Sequence, residues 1–123
     1  MCVSYMAIII TILIYACPVH AFDDWDGVDY ALLGAMTAAQ VIDWRQTRQI
    51  AEQPERFHEV NPLIGRHPNI SRVDLYFVAS FAVKLGVAHV LPSEWRKVWL
   101  GTMAVGSMCL VIHNDSVGIG ARW

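Results

Sequence analysis

The stretch FHEVNPLIGRHPN, residues 57–69, separates two long apolar segments of this chain. It contains two histidines, two asparagines, a glutamate, an arginine and two prolines, and another proline, Pro54, stands just before it. Proline lacks a backbone N–H and clashes with the preceding helical turn, so helices end or kink where it occurs. We therefore expect the two apolar segments to form separate helices, joined by a polar connector that we define as residues 53–69.

The composition indicates a single domain with an apolar sequence. The chain has 123 residues, of which 55% are hydrophobic and 16% are charged, whereas soluble domains carry about 25% charged residues. The net charge is −2. The sequence contains neither a basic patch with interleaved aromatic residues nor a glycine-rich phosphate loop. Nucleic acid is therefore not an expected partner.

The first 21 residues predict a segment that directs the chain to the bacterial cell envelope. A long apolar run ends in Val19-His20-Ala21, which resembles the end of an export signal. Three interpretations stay open: cleavage after Ala21, lipidation of Cys17 within the degenerate lipobox LIYAC, or an uncleaved first membrane helix. In each case residues 22–123 are expected to form a single helical domain.

The cysteine pattern follows from this prediction. Cys2 and Cys17 belong to the N-terminal segment, so Cys109 is the thiol of the remaining domain and has no partner there for a disulfide. Because Cys109 lies in an apolar stretch, we expect its side chain to be buried and unreactive.

Helix-capping signals divide the domain into three helices. No stretch keeps strict period-two alternation for long, so strands are not favoured. Ser71 and Asp74 have the spacing of a capping box for the second helix, and Ser93 is predicted to cap the third. We therefore expect an all-α fold, in which an N-terminal signal or membrane segment precedes a three-helix bundle. The predicted helices are residues 28–52, 71–91 and 93–113.

The hydrophobic pattern favours a membrane-embedded bundle over a compact exported or lipid-anchored domain. The apolar cores of the helices, residues 28–42, 73–91 and 98–112, are about 15, 19 and 15 residues long, against about 20 for a full span. Two cores are therefore short. Trp25 and Trp44, however, bracket the first core at a separation of roughly 28 Å, which matches the aromatic belts of a bilayer.

The distribution of charge predicts an orientation. Four aspartates precede the first helix and five arginines follow it. The positive-inside rule then places the connector in the cytoplasm. Arg96 and Lys97 would lie on the opposite side, which counts against this orientation. The five arginines are Arg45, Arg48, Arg56, Arg66 and Arg72.

Polar residues that could carry chemistry converge at one predicted end of the bundle, where the first helix, the connector and the third helix meet. Histidines and carboxylates in such a cluster suit a divalent metal or a proton relay. The same groups also serve as hydrogen-bonding partners for helix ends. Structural packing is the favoured interpretation, and an ion, proton or metal site is the alternative. The candidates are Asp43, Gln46, Thr47, His58, Glu59, Asn61, His113, Asn114 and Asp115.

No motif indicates an enzyme or a cofactor. His58-Glu59 does not begin an H-E-x-x-H zinc motif, because Pro62 occupies the second histidine position. Ser80 has no base at a recognisable spacing. Lys84 lies within the second helix, where a charge in lipid costs at least about 2.5 kcal/mol. We expect Lys84 to extend to the interface or to meet a carboxylate, with a transport or relay role as the alternative.

The segment DWRQTRQIAEQPERFHEVNPLIGRHP, residues 43–68, with VDLYF at 73–77 and LPSEWR at 91–96, resembles a group of short phage and proteobacterial envelope proteins. Their pattern is D-x-x-Q-T, then E-x-N-P-x-x-G-x-x-P, a Tyr-Phe pair, and an asparagine near the end of the last helix. The match covers nearly all of residues 22–123. The positions that carry it here are Asp43, Gln46, Thr47, Glu59, Asn61, Pro62, Gly65, Pro68, Tyr76, Phe77 and Asn114.

This resemblance implies a location but no activity, because such proteins are labelled lipoproteins or membrane proteins without a biochemical role. The weak lipobox at Cys17 departs from the lipoprotein members. We therefore expect a small, non-enzymatic envelope protein of phage or bacterial origin. Its expected partners are membrane lipid and either a second copy of the chain or a host membrane protein.

Overall fold

A computed structural model describes residues 23–121. It contains three α-helices: α1, Gly27–Glu52; α2, Ile70–Val90; and α3, Ser93–Ser116. No strand occurs in this part of the chain, so the predicted all-α three-helix bundle is confirmed. The predicted signal or anchor, residues 1–21 with the candidate lipidation site Cys17, lies outside the described residues.

α1 begins with a capping box formed by the acidic segment before it. The Asp26 side chain accepts hydrogen bonds from the backbone N–H groups of Val28 and Asp29, and the Asp29 side chain accepts one from the backbone N–H of Asp26. These bonds satisfy N–H groups that a helix N-terminus otherwise leaves unpaired. The aspartates therefore define the start of the helix.

The capping box predicted for α2 is wrong. The cap is Asn69, whose side chain accepts a hydrogen bond from the backbone N–H of Arg72 at 2.8 Å. Asp74, the second member of the predicted box, forms an ion pair with Arg48 of α1 at 2.7 Å. Asparagine caps helices as well as serine does, and with the cap at Asn69 the residue Asp74 lies beyond the third helical position that a capping box requires.

The predicted start of α3 is also wrong in detail. Ser93 does not cap the helix but is its first residue, and Pro92 occupies the cap position without a side-chain hydrogen bond. The Ser93 hydroxyl instead accepts from Lys97 Nζ at 2.6 Å. Proline is tolerated at a helix start because no intrahelical partner is needed there.

α3 continues beyond His113 and ends in a Schellman motif. The backbone N–H of Ile119 donates to the carbonyl oxygen of Asn114, and that of Gly118 donates to Asp115. Gly118 has a φ of 86°, the left-handed conformation that this ending requires. The segment after the helix is therefore folded back against the helix end.

α1 packs against both other helices, and more extensively against α3 than against α2. Near the end of α1, Gln46 Nε2 donates to the carbonyl oxygens of Val111 and Ile119 at the end of α3. α1 and α3 therefore run parallel, and α2 runs antiparallel to both. The buried apolar side chains form two small clusters: Met36, Ala88 and Leu100, and Ile64, Val73 and Phe77.

The bundle buries charged and amide side chains beside its apolar ones and leaves many large apolar side chains on its surface. Large apolar side chains are exposed on the helices, with Val78, Val83, Val105 and Ile112 each 60–65% exposed. Cys109 is exposed as well, so its predicted burial is wrong. The reason is that this face of α3 has no neighbouring helix in the described residues. The buried polar residues are Asp29, Gln40, Gln46, Thr47, Gln49, Arg96 and Ser107.

Replacing Asn69 with alanine should lower the free energy of unfolding by about 1 kcal/mol, because the Arg72 N–H loses its acceptor. Ser71→Ala, at the exposed position that the sequence suggested as the cap, is the matched control and should change stability by less than about 0.5 kcal/mol. Denaturant unfolding followed by circular dichroism measures both. A larger loss for Ser71→Ala would contradict the assignment of the cap.

Candidate functional site at the connector pole

The polar residues predicted to converge come from two parallel helices and the connector. We call this end of the bundle the connector pole. Asn114 Nδ2, on α3, donates to Asp43 Oδ1 at 3.3 Å and to Gln46 Oε1 at 3.2 Å on α1. Asp43 and Gln46 are three positions apart and therefore share one helix face. The amide of Asn114 thus joins both members of the predicted D-x-x-Q pair.

A cavity of about 340 Å³ opens between the connector and the end of α3. Its polar lining comes from Arg56, His58 and Glu59 of the connector and from His113 and Asn114 of α3. Apolar side chains complete the wall. The lining residues are Ile50, Arg56, Phe57, His58, Glu59, Val60, His113, Asn114, Val117 and Ile119.

Glu59 and Asn61 hold the connector in a defined turn. Glu59 Oε1 accepts hydrogen bonds from the backbone N–H groups of Val60 and Asn61 at 3.0 and 2.9 Å. Asn61 Oδ1 accepts from the Leu63 N–H at 3.0 Å, and Asn61 Nδ2 donates to the Tyr76 hydroxyl at 2.9 Å. Both side chains therefore satisfy backbone groups around Pro62, as the structural-packing interpretation expects.

Asp43 is the titratable group of this pole whose ionisation is opposed by its surroundings. Burial raises the pKa of Asp43 from 3.8 to about 6, the negative charge of Glu59 adds to this increase, and the positive charge of Lys84 opposes it. Asp43 directly follows the apolar segment 28–42, at the connector end of α1. Carboxylates with raised pKa values beside a cavity are candidate functional groups.

Lys84 points from α2 toward the interior of the bundle. Its Nζ donates to Gln40 Oε1 of α1 at 2.8 Å, and Gln40 Nε2 donates to the carbonyl oxygen of Phe77 at 3.1 Å. We expected Lys84 to extend to the interface or to meet a carboxylate, but its hydrogen-bonding partner is an amide inside the bundle. The positive charge of Lys84 nevertheless favours ionisation of Asp43 and so lowers the pKa of Asp43.

The remaining candidates are spread over the pole. Thr47 is buried within α1, whereas His58 and His113 are exposed on the rim of the cavity and Asp115 is exposed outside it. Within residues 23–121, no three histidine, cysteine or carboxylate side chains are arranged to hold a metal ion. Comparison with known proteins finds no matching family model, no matching curated protein and no matching solved structure.

The opposite end of the bundle contains a buried ion pair that the sequence did not reveal. Arg96 Nη1 donates to Asp29 Oδ2 at 2.9 Å, and neither side chain has any exposed surface. The guanidinium also lies 4.9 Å from the centre of the Trp25 ring. Its other hydrogen bonds go to the carbonyl oxygens of Asp23, Asp24, Ala88 and Leu91.

Lys97 extends this charged cluster to the surface. Its Nζ lies 2.9 Å from Asp26 Oδ2 and 3.5 Å from Asp29 Oδ1. The hydrogen bond between Lys97 and Asp26 lowers the pKa of Asp26 and raises the pKa of Lys97. The aspartates before α1 and the basic pair at the start of α3 were the available sequence signal, but only the fold brings them together.

Replacing Arg96 with methionine should lower the free energy of unfolding by about 3–5 kcal/mol, because Asp29 is left buried without its partner. The double variant Asp29→Asn/Arg96→Met should recover part of this loss, since no charge stays buried, but the four carbonyl oxygens still lack donors. Lys97→Met, at a partly exposed position of the same cluster, is the control and should have a smaller effect. Equal losses for Arg96→Met and Lys97→Met would contradict this account.

Replacing Asp43 with asparagine should stabilise the protein at pH 8 but not at pH 4. The folded-state pKa of about 6 exceeds the ordinary value of 3.8. The folded state therefore holds the proton more tightly, and stability falls as the pH rises from about 4 to 6. Asparagine cannot ionise, so the gain above pH 6 should be about 1–3 kcal/mol.

Thermal unfolding at the two pH values measures this effect. Asp115→Asn removes the same charge from an exposed position at the same pole and serves as the matched control. The pH-dependent gain should be confined to the Asp43 variant. A gain of equal size at pH 4 and pH 8 would show that ionisation of Asp43 is not its source.

Proposed function

We propose that this chain is a small, non-enzymatic membrane protein of the bacterial cell envelope, which acts through helix–helix or partner contacts. The many large apolar side chains exposed on the helices, together with the charged and amide side chains buried between the helices, carry the proposal. Water favours polar side chains on the outer face of a helix, whereas lipid favours apolar ones. The burial of Asp29, Arg96 and several amides inside, with valines and leucines outside, is the arrangement expected in lipid.

The dimensions of the helices support this location. α2 is the helix of the described region that is long and apolar enough to cross a membrane, and only 17% of its most apolar window is buried. The three helices have 26, 21 and 24 residues. At about 1.5 Å per residue each exceeds the roughly 30 Å of a hydrocarbon core. In α1 and α3 the apolar core alone is shorter than this thickness, and polar residues at the helix ends supply the remaining length.

The positive charges of Arg96 and Lys97, which counted against placing the connector in the cytoplasm, are both neutralised by aspartates in the structure. Arg96 is paired with Asp29 inside the bundle, and Lys97 is paired with Asp26. Neither residue therefore presents an unpaired positive charge on that side. The connector carries exposed arginines, which supports placing it in the cytoplasm and the start of α1 on the opposite side.

Contacts with other chains are the proposed mode of action. Glu59, Asn61 and Gln46 bond to backbone groups and thereby fix the helix ends. The outer faces of α2 and α3 are apolar and lack a neighbouring helix in the described residues. A second copy of the chain or a host membrane protein is therefore the proposed partner. The resemblance to envelope proteins points to the same location.

A second candidate function is a proton or ion site formed by Asp43, Glu59 and His113. The raised pKa of Asp43, which accepts a hydrogen bond from the cavity residue Asn114, favours it. The Asp43→Asn variant separates the two candidates. A variant that is more stable than the native protein but inactive would favour the ion site. A variant in which activity follows stability would favour the structural role.

The membrane proposal predicts a large penalty for Val78→Asp, at an exposed position in the middle of α2. In lipid an aspartate there costs about 2.5–3.5 kcal/mol, whereas on a water-facing surface it changes stability by less than about 0.5 kcal/mol. Ser71→Asp, exposed in the first turn of α2, is the matched control. The measurement is the fraction of each variant that resists alkaline extraction from membranes. Equal extraction of Val78→Asp and native protein would contradict the proposal.

A further inference from the structure

The tip of the connector presents large aliphatic side chains away from the bundle. Val60 is 74% exposed and Leu63 is 72% exposed, and Pro62 between them is exposed too. Their neighbour Ile64 is 2% exposed, because it packs in the cluster with Val73 and Phe77. Ile64 of the connector therefore packs in the core, whereas Val60 and Leu63 face outward.

This outward orientation is built into the backbone. The Glu59 carboxylate accepts hydrogen bonds from two successive backbone N–H groups. The backbone carbonyl oxygen of Asn61 accepts hydrogen bonds from the backbone N–H groups of Ile64 and Gly65. The Glu59 N–H donates to the carbonyl oxygen of Arg66 at 3.0 Å, which closes the base of the turn. Local hydrogen bonds thus hold the aliphatic side chains where they cannot fold back onto the bundle.

Positive charge surrounds this tip. Arg56, Arg66 and Arg72 are exposed on the connector and the first turn of α2, together with His58 and His67. Glu55 is exposed nearby, whereas the Glu59 carboxylate is engaged with the backbone. An apolar tip within a basic rim is complementary to the boundary between acyl chains and anionic headgroups.

The position of the tip in the chain points to the same surface. Leu63 lies seven residues before the start of α2 at Ile70, the helix that is long and apolar enough to cross a membrane. If α2 crosses the bilayer, the connector leaves it at the headgroup level. A protein partner could also cover an apolar tip, but the basic rim and this placement favour lipid.

We propose that the connector tip inserts Val60 and Leu63 into the headgroup boundary of the membrane that α2 crosses, while Arg56 and Arg66 contact anionic lipid phosphates. This inference rests on the proposed membrane location and adds a lipid class and a docking surface to it. The tip then acts as an anchor that fixes the depth of the connector pole, including the cavity beside Glu59.

Site-directed spin labelling of the full chain tests the insertion. Single cysteines are introduced by Leu63→Cys, Glu55→Cys and Val78→Cys after the native cysteines are replaced by serine. The protein is placed in vesicles of phosphatidylethanolamine and phosphatidylglycerol. Collision of the label with oxygen, which concentrates in lipid, is compared with collision with a water-soluble nickel chelate. Position 78 reports on α2, and position 55 is the polar control within the connector.

If the tip inserts, the label at position 63 should collide frequently with oxygen and rarely with the nickel chelate. The label at position 55 should be accessible to the nickel chelate. If position 63 is as open to nickel as position 55 while position 78 is protected, the insertion is overturned and the membrane location stands. If position 78 is also open to nickel, the membrane location itself fails. Protection of position 63 from both reagents would assign the tip to a protein contact and overturn the lipid proposal.

The charge component has its own measurement. Binding of spin-labelled phosphatidylglycerol, relative to spin-labelled phosphatidylcholine, should fall in the double variant Arg56→Gln/Arg66→Gln by up to roughly fivefold for each arginine. Binding of the phosphatidylcholine probe alone should not change, which controls for altered folding. An unchanged phosphatidylglycerol preference in the double variant would overturn the assignment of these arginines to anionic lipid.

Discussion

The buried pair of Arg96 and Asp29 is the interaction on which the arrangement of the helices depends. A guanidinium without exposed surface needs an acceptor for each N–H, because an unpaired buried charge costs several kcal/mol. Arg96 finds these acceptors on the segment before α1, on α1 itself and at the end of α2, while it belongs to α3. A shift of any one helix would remove a partner from the charge.

The connector pole is held differently. Asn114, Asp43 and Gln46 are joined by hydrogen bonds of 3.2 and 3.3 Å, and a cavity lies beside them. Asp43 ionises there against its surroundings. At one end of the bundle a buried guanidinium has an acceptor for every N–H, whereas the other end retains space and a carboxylate in an unfavourable setting. A site that exchanges a proton or an ion needs the second kind of environment, which is why this pole is the candidate for function.

Polar contacts of the kind seen at the two poles are able to hold helices together in lipid. In lipid there is no hydrophobic drive for helices to associate, so polar contacts and close packing hold them together. Here the side chains that join the helices are amides and charges, such as Gln40 with Lys84 and Gln46 with the end of α3. The apolar clusters in the interior are small. The outer apolar faces are then free for lipid or for a partner.

The sequence alone determined the order and approximate limits of the three helices in the described residues, because prolines and polar segments interrupt helices locally. It also determined that the first and third helices end together with the connector, since three successive antiparallel helices allow little else. Asp43, Gln46 and Asn114 could therefore be assigned to one pole without a structure. Their hydrogen bonds and the raised pKa of Asp43 could not, because both depend on distances between helices.

Tertiary structure decided the features that depend on partners far away in the chain. Asp74 forms an ion pair with Arg48 of another helix, a partner that the local capping pattern does not show. Arg96 resembles a surface cation in the sequence, yet it is buried because Asp29, 67 positions away, meets it across the bundle. Cys109 is exposed because no described helix covers its face of α3. A local pattern shows which side chains are apolar or charged, but only the packing of the helices sets which of them are covered.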